Sequence, residues 1–425
     1  MFKRLSYCVV LTLALSACQS QSSVNPNVGG SVADTLPTSS PLEPTETARL
    51  SPQAITSGDW TSGALTTAIV PLPNLKNLEG GLSGSRIWKS NNPEVIKGDG
   101  WLMQNARTDA TRGGAATPLT GTNAAYLFHI NKSGSTRYLY ILVTNPNNSD
   151  ITISGKGSVY TNADKPLGGA GTGPSYGVSS DWLANTPRTS FSSTAVGSKQ
   201  AYQVYRATLT NGALVDGRFE ITSSAGVYVY TVVTSSGTLA DAINASQGAP
   251  AAGDIFSSAP DKFGREAGVY ASSAWTGSTS IIIPASSAYL GIALNTSAKN
   301  PSGPGLQEQT APAVMRLSDS SERTYANYGH LYDFTLALSN PTSSTKTVRL
   351  SIASNITGST DTPSFTFSAP VSLNGSTKVV FLKPTAPKQT LATWTIPANS
   401  PFNARVKFYV PGLVTIGQQL ILENL

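Results

Sequence analysis

Three groups of residues have types and spacing that could do chemistry. The first is Gly173-Pro174-Ser175-Tyr176-Gly177, which fits the G-x-S-x-G nucleophile elbow of serine hydrolases, with His330 downstream as a general-base candidate. An elbow needs a strand before the serine and a helix after it, to strain the turn and expose Oγ. Here Leu167-Gly-Gly-Ala-Gly-Thr-Gly173 precedes and Val178-Ser-Ser-Asp-Trp182 follows, which reads as loop on both sides. In a chain this rich in Gly and Ser the match is cheap, so no catalytic residue is assigned.

The second group is the titratable side chains. The two histidines, His129 and His330, both fall in strand-like runs. Neither has a His, Asp or Glu two residues away on the same face, and Asp333 lies three away from His330. A metal site needs converging ligands with an orienting partner, so structural imidazoles are the better reading and no metal or cofactor is expected. No D-x-D-x-D calcium loop occurs. Carboxylate pairs for glycoside hydrolysis meet only in the fold, and Glu94, Asp99 and Asp109 are the nearest candidates.

The third group is aromatic. Tyr138 with Tyr140, and Tyr228 with Tyr230, stand two apart and therefore share a strand face; Tyr205 stands in a similar run. On a wet face such a pair is a platform for sugar rings, and on a dry face it is core with hydroxyls reaching partners. Trp88, Trp101 and Trp182 sit in glycine-rich neighbourhoods that would extend a platform. Tyr138, Tyr140, Tyr228, Tyr230, Trp88 and Trp101 are the expected ligand-stacking set, with core as the bland alternative for each pair.

The elements that must position these residues are strands. Tyr126 to Ile130, the Lys132–Ser135 turn and Arg137 to Thr144 read as a hairpin. Asn374-Gly375 between Val371–Leu373 and Lys378–Leu382 is a stronger hairpin signal, because both turn residues tolerate positive φ. Asn211-Gly212 and Asp216-Gly217 punctuate another β region, followed by the run Gly226 to Val233. Trp394 and Ile396, then Val406, Phe408 and Val410, alternate at period two. Only Thr238 to Asn244 reads as a helix. A unit recurs: Arg137 to Gly155 and Asp333 to Ser351 align on their Asn-Pro turns, bringing Ser149 onto Ser344 and Ile153 onto Val348. Tyr328 to Ile352 then reads as the central hairpin of a second sandwich. Two related β-sandwich modules follow, 51–234 and 261–425, joined by a Ser-, Ala- and Gly-rich linker at 235–260.

The amino-terminal end has its own signature. Met1-Phe2-Lys3-Arg4 is a positive n-region, Tyr7 to Leu15 is apolar, and Leu15-Ser16-Ala17-Cys18 resembles a bacterial lipobox. That resemblance implies cleavage of residues 1–17 and acylation of Cys18. The apolar run is far short of the ~20 residues a membrane span needs. Residues 19–50 are Ser-, Pro-, Thr- and Asn-rich without apolar periodicity, a disordered tether with a reach of roughly 30 Å. Cys8 leaves with the leader and Cys18 carries lipid, so no thiol remains for a disulfide, a metal site or a nucleophile.

Formal net charge is +6, and losing Lys3 and Arg4 with the leader leaves +4. That thin excess is not a nucleic-acid footprint, which needs clustering on one face. Charged residues are 12% of the chain, about half the usual share. Beyond Thr362, Lys378, Lys383, Lys388, Arg405 and Lys407 stand against Glu423 alone, a mild positive field toward an anionic envelope polymer or a solvated edge.

Arg86 to Met103 (RIWKSNNPEVIKGDGWLM), Gly264 to Ser272 (GREAGVYAS) and Tyr325 to Thr342 (YANYGHLYDFTLALSNPT) resemble segments of a bacterial family best known from cyanobacteria, domain of unknown function 3370. The resemblance implies an exported β-rich envelope protein and no assigned catalytic or binding residues. The expectation is an all-β chain of two tandem β-sandwich modules, Ig-like or jelly-roll-like, after a disordered tether. It would be anchored to membrane through lipid on Cys18, facing the periplasm or the exterior. Its expected role is non-catalytic binding or scaffolding, with envelope glycan or a surface-layer protein as partner and no nucleic acid. An envelope glycan or ester hydrolase is the alternative from another class, and protein–protein assembly through sheet edges is a third.

Overall fold

The computed structural model describes residues 54–91, 95–106, 116–162, 169–248, 266–297, 305–317, 320–354, 367–412 and 417–425. The signal segment, Cys18, the tether, Glu94 and Asp109 lie outside the described residues. Within Leu50–Leu425, one compact unit, the described residues are all-β with two sandwich cores and two short α-helices.

In the carboxy-terminal core, one sheet runs in the order Ser376–Leu382, Phe367–Leu373, Ser400–Tyr409, Leu331–Asn340, Ala274–Ile282 and Gly81–Ser83. The sheet across from it runs Thr61–Ser62, Ala288–Leu294, Gln418–Asn424, Lys346–Ser354 and Lys388–Ile396, with Leu75–Lys76 added beside Ala288–Leu294. Period-two burial builds the space between them. Phe334, Leu336, Val406 and Phe408 from the first sheet share a core with Val348, Leu350, Leu420 and Leu422 from the second.

The amino-terminal core hangs on one 21-residue strand, Leu214–Thr234. Its first half pairs with Leu119–Asn131 and Ile151–Asn162. After an irregularity between Ser223 and Val227 its second half pairs with Arg137–Thr144 and Gly100–Gln104. One strand thus feeds both layers, the job a bulge does elsewhere at sheet corners. Strands also cross between the chain halves: Ala267–Tyr270 pairs with Ile87–Ser90, and Gly81–Ser83 pairs with Ala274–Ile282.

The connections correct the expected hairpins. Leu119–Asn131 and Arg137–Thr144 do not pair; nor do Leu331–Asn340 and Lys346–Ser354, the two strands of the Tyr328–Ile352 run. Each connection is instead an arch that carries the chain from one layer to another, and each is closed by an asparagine. Asn340 donates from its amide to the carbonyls of Ser344 (2.9 Å), Ile396 (3.1 Å) and Pro397 (2.8 Å), while its Oδ1 accepts the Thr342 N–H. Asn145 does the same to Ser149, Val196 and Gly197, and Asn131 to Ser135, Leu209 and Thr210. All three are buried. The amide satisfies carbonyls at the end of a third strand that water cannot reach, which fixes where the chain leaves its sheet.

Two local readings hold and two do not. Asn374 and Gly375, at φ 47° and 86°, make the tight hairpin between Phe367–Leu373 and Ser376–Leu382. The helix expected at Thr238 is there; we call it α2, Leu239–Gln247, with Thr238 capping the Asp241 N–H. By contrast, Asp216-Gly217 is no turn but a buried part of the strand Leu214–Thr234, close to its start. Ser175 is not in a loop: Pro174–Ala184 is a helix, α1, with Pro174 at its first turn and Asn185 closing it at φ 56°.

Candidate functional site: a buried charged seam under helix α1 and the cleft above it

Helix α1 rests against Ile151–Asn162 and Leu214–Thr234 of the amino-terminal core and against Phe367–Leu373 and Ser400–Tyr409 of the other. Its buried face is Pro174, Val178, Ser179 and Trp182. The Trp182 indole donates to the Arg218 carbonyl at 3.1 Å. The Arg218 guanidinium lies 4.1 Å from the Trp182 ring and 4.8 Å from Tyr409, a cation held between two π faces.

At the other end of α1, Ser175 Oγ donates to Asp216 Oδ2 at 2.5 Å. Asp216 is buried, and burial raises its carboxyl from 3.8 to about 7, against the smaller lowering pull of the Ser175 and Tyr126 hydroxyls and the Gly217 N–H. Gly412 closes the cluster. A Cβ there would sit 2.6 Å from Asp216 Oδ2, 2.7 Å from the Tyr126 hydroxyl and 2.9 Å from Ser175 Oγ, so only glycine lets the backbone approach.

The seam continues inward. Arg218 Nε donates to the Gly329 carbonyl at 2.9 Å, and burial lowers the guanidinium's affinity for its proton. His330 is buried, and its Nε2 meets no partner. Burial first, then the charges of Lys89 and Arg218, push it well below 6.5, so it is neutral. Lys89 and Glu266 form a fully buried ion pair where Ile87–Ser90 meets Ala267–Tyr270. Burial lowers the lysine and raises the glutamate, and each offsets part of the other's shift. Glu266 also accepts the Ala326 N–H at 3.3 Å.

Above α1 lies an open cleft of about 560 Å³. Its polar centre is Asp181, whose Oδ2 accepts the Tyr160 hydroxyl at 2.9 Å and lies 3.5 Å from Arg188 Nε. The Arg188 guanidinium covers the Tyr160 ring at 4.0 Å.

The residues singled out from sequence are dispersed. Trp88, Trp101, Tyr140 and Tyr230 are buried and present no ring to solvent, so for these four core is what the fold makes of them. Part of the reason is α2, which packs on Leu214–Thr234 and Gly100–Gln104; the Trp101 indole donates to Gly248 at its end. Tyr138 and Tyr228 are half-buried, and Arg206 covers Tyr138 at 4.6 Å. His129 bonds Ser90 Oγ at 2.9 Å, a satisfied imidazole as expected, whereas His330 is not satisfied. Asp99 is exposed and near Arg137. Among the described residues no group of three or more His, Cys, Asp or Glu converges for a metal. Of the five basic residues toward the C-terminus, Arg405 is paired with Asp333 through two bonds and Lys388 lies 3.6 Å from Glu423, which thins the expected field. Sequence reasoning missed Asp216, Arg218, Lys89 and Glu266, whose only signal was an unusual placement of charge inside β-patterned runs.

A family model described as Protein of unknown function (DUF3370) matches residues 184–381, from the end of α1 through the Asn374-Gly375 hairpin. Residues 184–381 belong to the DUF3370 family. Asp216, Arg218, Glu266 and His330 lie inside the DUF3370 segment, and Lys89, Tyr126 and Ser175 reach the seam from outside it. No curated protein matches the chain. Among solved structures, the tandem CBM51 modules of the family 98 glycoside hydrolase from Streptococcus pneumoniae are 8% identical, covering 76% of this chain and 88% of theirs at a TM-score of 0.16. The plant receptor-like kinase FER is 12% identical, covering 80% and 96% at 0.15. The tandem CBM22 domain of Paenibacillus barcinonensis Xyn10C is 10% identical, covering 78% and 98% at 0.14. Likenesses this low carry no argument about fold or ligand.

Proposed function

We propose that this chain is a lipid-anchored, non-catalytic binding or scaffolding protein of the cell envelope. Cys18 holds it to the membrane, and its β-body engages an envelope polymer or a surface-layer component facing the periplasm or the exterior. The observation that carries the non-catalytic half is the partner of Ser175. A serine nucleophile needs a base that takes its proton and a third group that orients the base. Ser175 Oγ donates to a buried carboxyl, while His330 is held neutral by burial and the charges of Lys89 and Arg218 and has no partner at Nε2. The amino-terminal lipobox signature supports the anchor.

The hydrolase reading draws on one feature, the raised Asp216 beside Ser175, since perturbed carboxyls cluster at active sites. Assembly through sheet edges draws less support. Along Ser376–Leu382 the Gln389 side chain accepts the Phe381 N–H and donates to the Val379 carbonyl, blunting that edge. A turnover assay on isolated envelope glycans and short-chain esters, run with Ser175→Ala and His330→Ala, separates the readings. No turnover by the wild-type protein is expected, and turnover lost in either variant overturns the non-catalytic reading. Cys18→Ser is expected to move the protein from the membrane to the soluble fraction; retention in the membrane refutes the anchor.

A further inference from the structure

We propose that the cleft above α1 binds a neutral oligosaccharide segment, with Tyr176 as the stacking ring and Asp181 as the hydroxyl acceptor. This rests on the binding reading above and gives it a site and a ligand class. The cleft's volume, about 560 Å³, falls within the ~300–1,000 Å³ of small-ligand clefts. Its walls are hydroxyls and backbone: Thr161, Thr172 and Ser180 line it with Tyr160, Tyr176 and Asp181. Such a lining disfavours two classes. A wholly apolar ligand would leave Asp181 and the wall hydroxyls without partners, and an anionic one would meet the Asp181 carboxylate.

What remains is a ligand that offers vicinal hydroxyls and an apolar ring face. Asp181 is oriented for it before the ligand arrives, because Tyr160 and Arg188 both converge on Oδ2. A carboxylate held this way accepts sugar hydroxyls through charge-assisted hydrogen bonds. Tyr160 cannot stack a sugar, since Arg188 covers it on one side and α1 packs against its ring at Gly177. Tyr176, half-buried on the cleft wall, is the ring left for that role. The site shares none of the six residues expected from tyrosine and tryptophan spacing, because those are set by strand period and this one by a helix laid on a sheet.

The experiment is calorimetric titration of the full chain with neutral hexasaccharides of β-1,4-glucose, α-1,4-glucose and β-1,4-N-acetylglucosamine, with a sulfated hexasaccharide as the anionic probe. Saturable binding of at least one neutral probe is expected, weakened at least tenfold by Tyr176→Ala and by Asp181→Asn and retained by Tyr176→Phe. The sulfated probe is expected to bind at least tenfold more weakly. Melting temperature within a few degrees of wild type guards against misfolding, and Ser180→Ala on the cleft rim supplies a milder variant. No neutral probe binding, or equal binding by wild type and Tyr176→Ala, overturns the proposal. Cosedimentation with isolated envelope polymer tells the two failures apart. If the wild type and Tyr176→Ala cosediment equally, the protein binds elsewhere; if neither does, the binding reading falls as well.

Discussion

Replacing Asp216 with asparagine should change how stability depends on pH while keeping the acceptor for Ser175. Burial raises the Asp216 carboxyl from 3.8 to about 7, so the folded chain holds this proton more tightly than the unfolded chain does. The sign follows: the stabilising contribution is fully present below about pH 4 and is lost as pH rises through about 7. A difference of roughly three units, at about 1.36 kcal/mol each, makes the whole swing about 4 kcal/mol. His330 acts in the opposite sense. It is held neutral well below 6.5, so its contribution is lost as pH falls below 6.5. Between about pH 4 and 6.5 the two slopes oppose each other, and a wild-type curve alone hides both. Neither group is among the causes of the other's shift, so their effects should add. Urea-unfolding free energies for wild type and Asp216→Asn, taken in half-unit steps from about pH 4 to about pH 8.5, separate them. The variant should gain on wild type by about 4 kcal/mol across the range, and should itself become more stable as pH rises toward neutrality. Parallel curves, or a variant that loses ground as pH rises, would refute the reasoning.

Lys89→Met strands Glu266 in the interior and should cost about 3–5 kcal/mol by chemical denaturation. Adding Glu266→Gln to it should recover much of that loss, because the pair's own Coulomb attraction is largely spent on its desolvation; a double variant as unstable as the single one refutes this. Asn131→Ala, Asn145→Ala and Asn340→Ala should each cost about 1–3 kcal/mol, since every one leaves carbonyls buried without a donor. Asn145 and Asn340 close arches in different cores, so their losses should sum in the double variant; strong non-additivity would count against independent arches.

The strands were legible because burial on one face writes itself as period two. Ala404, Val406 and Phe408 alternate inward just as their spacing predicts. Asn374-Gly375 and Thr238 were legible because turn and cap chemistry is local. The arches were not, although their signature was in plain view. Asn131-Lys-Ser-Gly-Ser135, Asn145-Pro-Asn-Asn-Ser149 and Asn340-Pro-Thr-Ser-Ser344 share N-x-x-x-S. Connections of five or six residues are close to a hairpin's length, and nothing local says that the asparagine amide will be claimed by carbonyls about 50 to 80 residues away.

Three further misreadings fall at one place in space. Helix α1 is built from Gly, Ser, Tyr and Val, poor helix formers that no propensity sum would favour; Pro174 at its first turn and the packing of Val178 and Trp182 make it a helix. Asp216-Gly217, a turn signal by composition, lies inside the strand Leu214–Thr234 near its start, and Ser175 of α1 bonds that aspartate. Arg218 follows two residues on and holds Gly329, whose neighbour His330 is the buried histidine left unsatisfied. A cluster of disagreements, all converging under one helix with a polar cleft on its outer side, is the pattern expected where a protein gives up stability for function. That convergence, more than any single residue type, favours the proposed binding site at α1 over one on the aromatic strand faces.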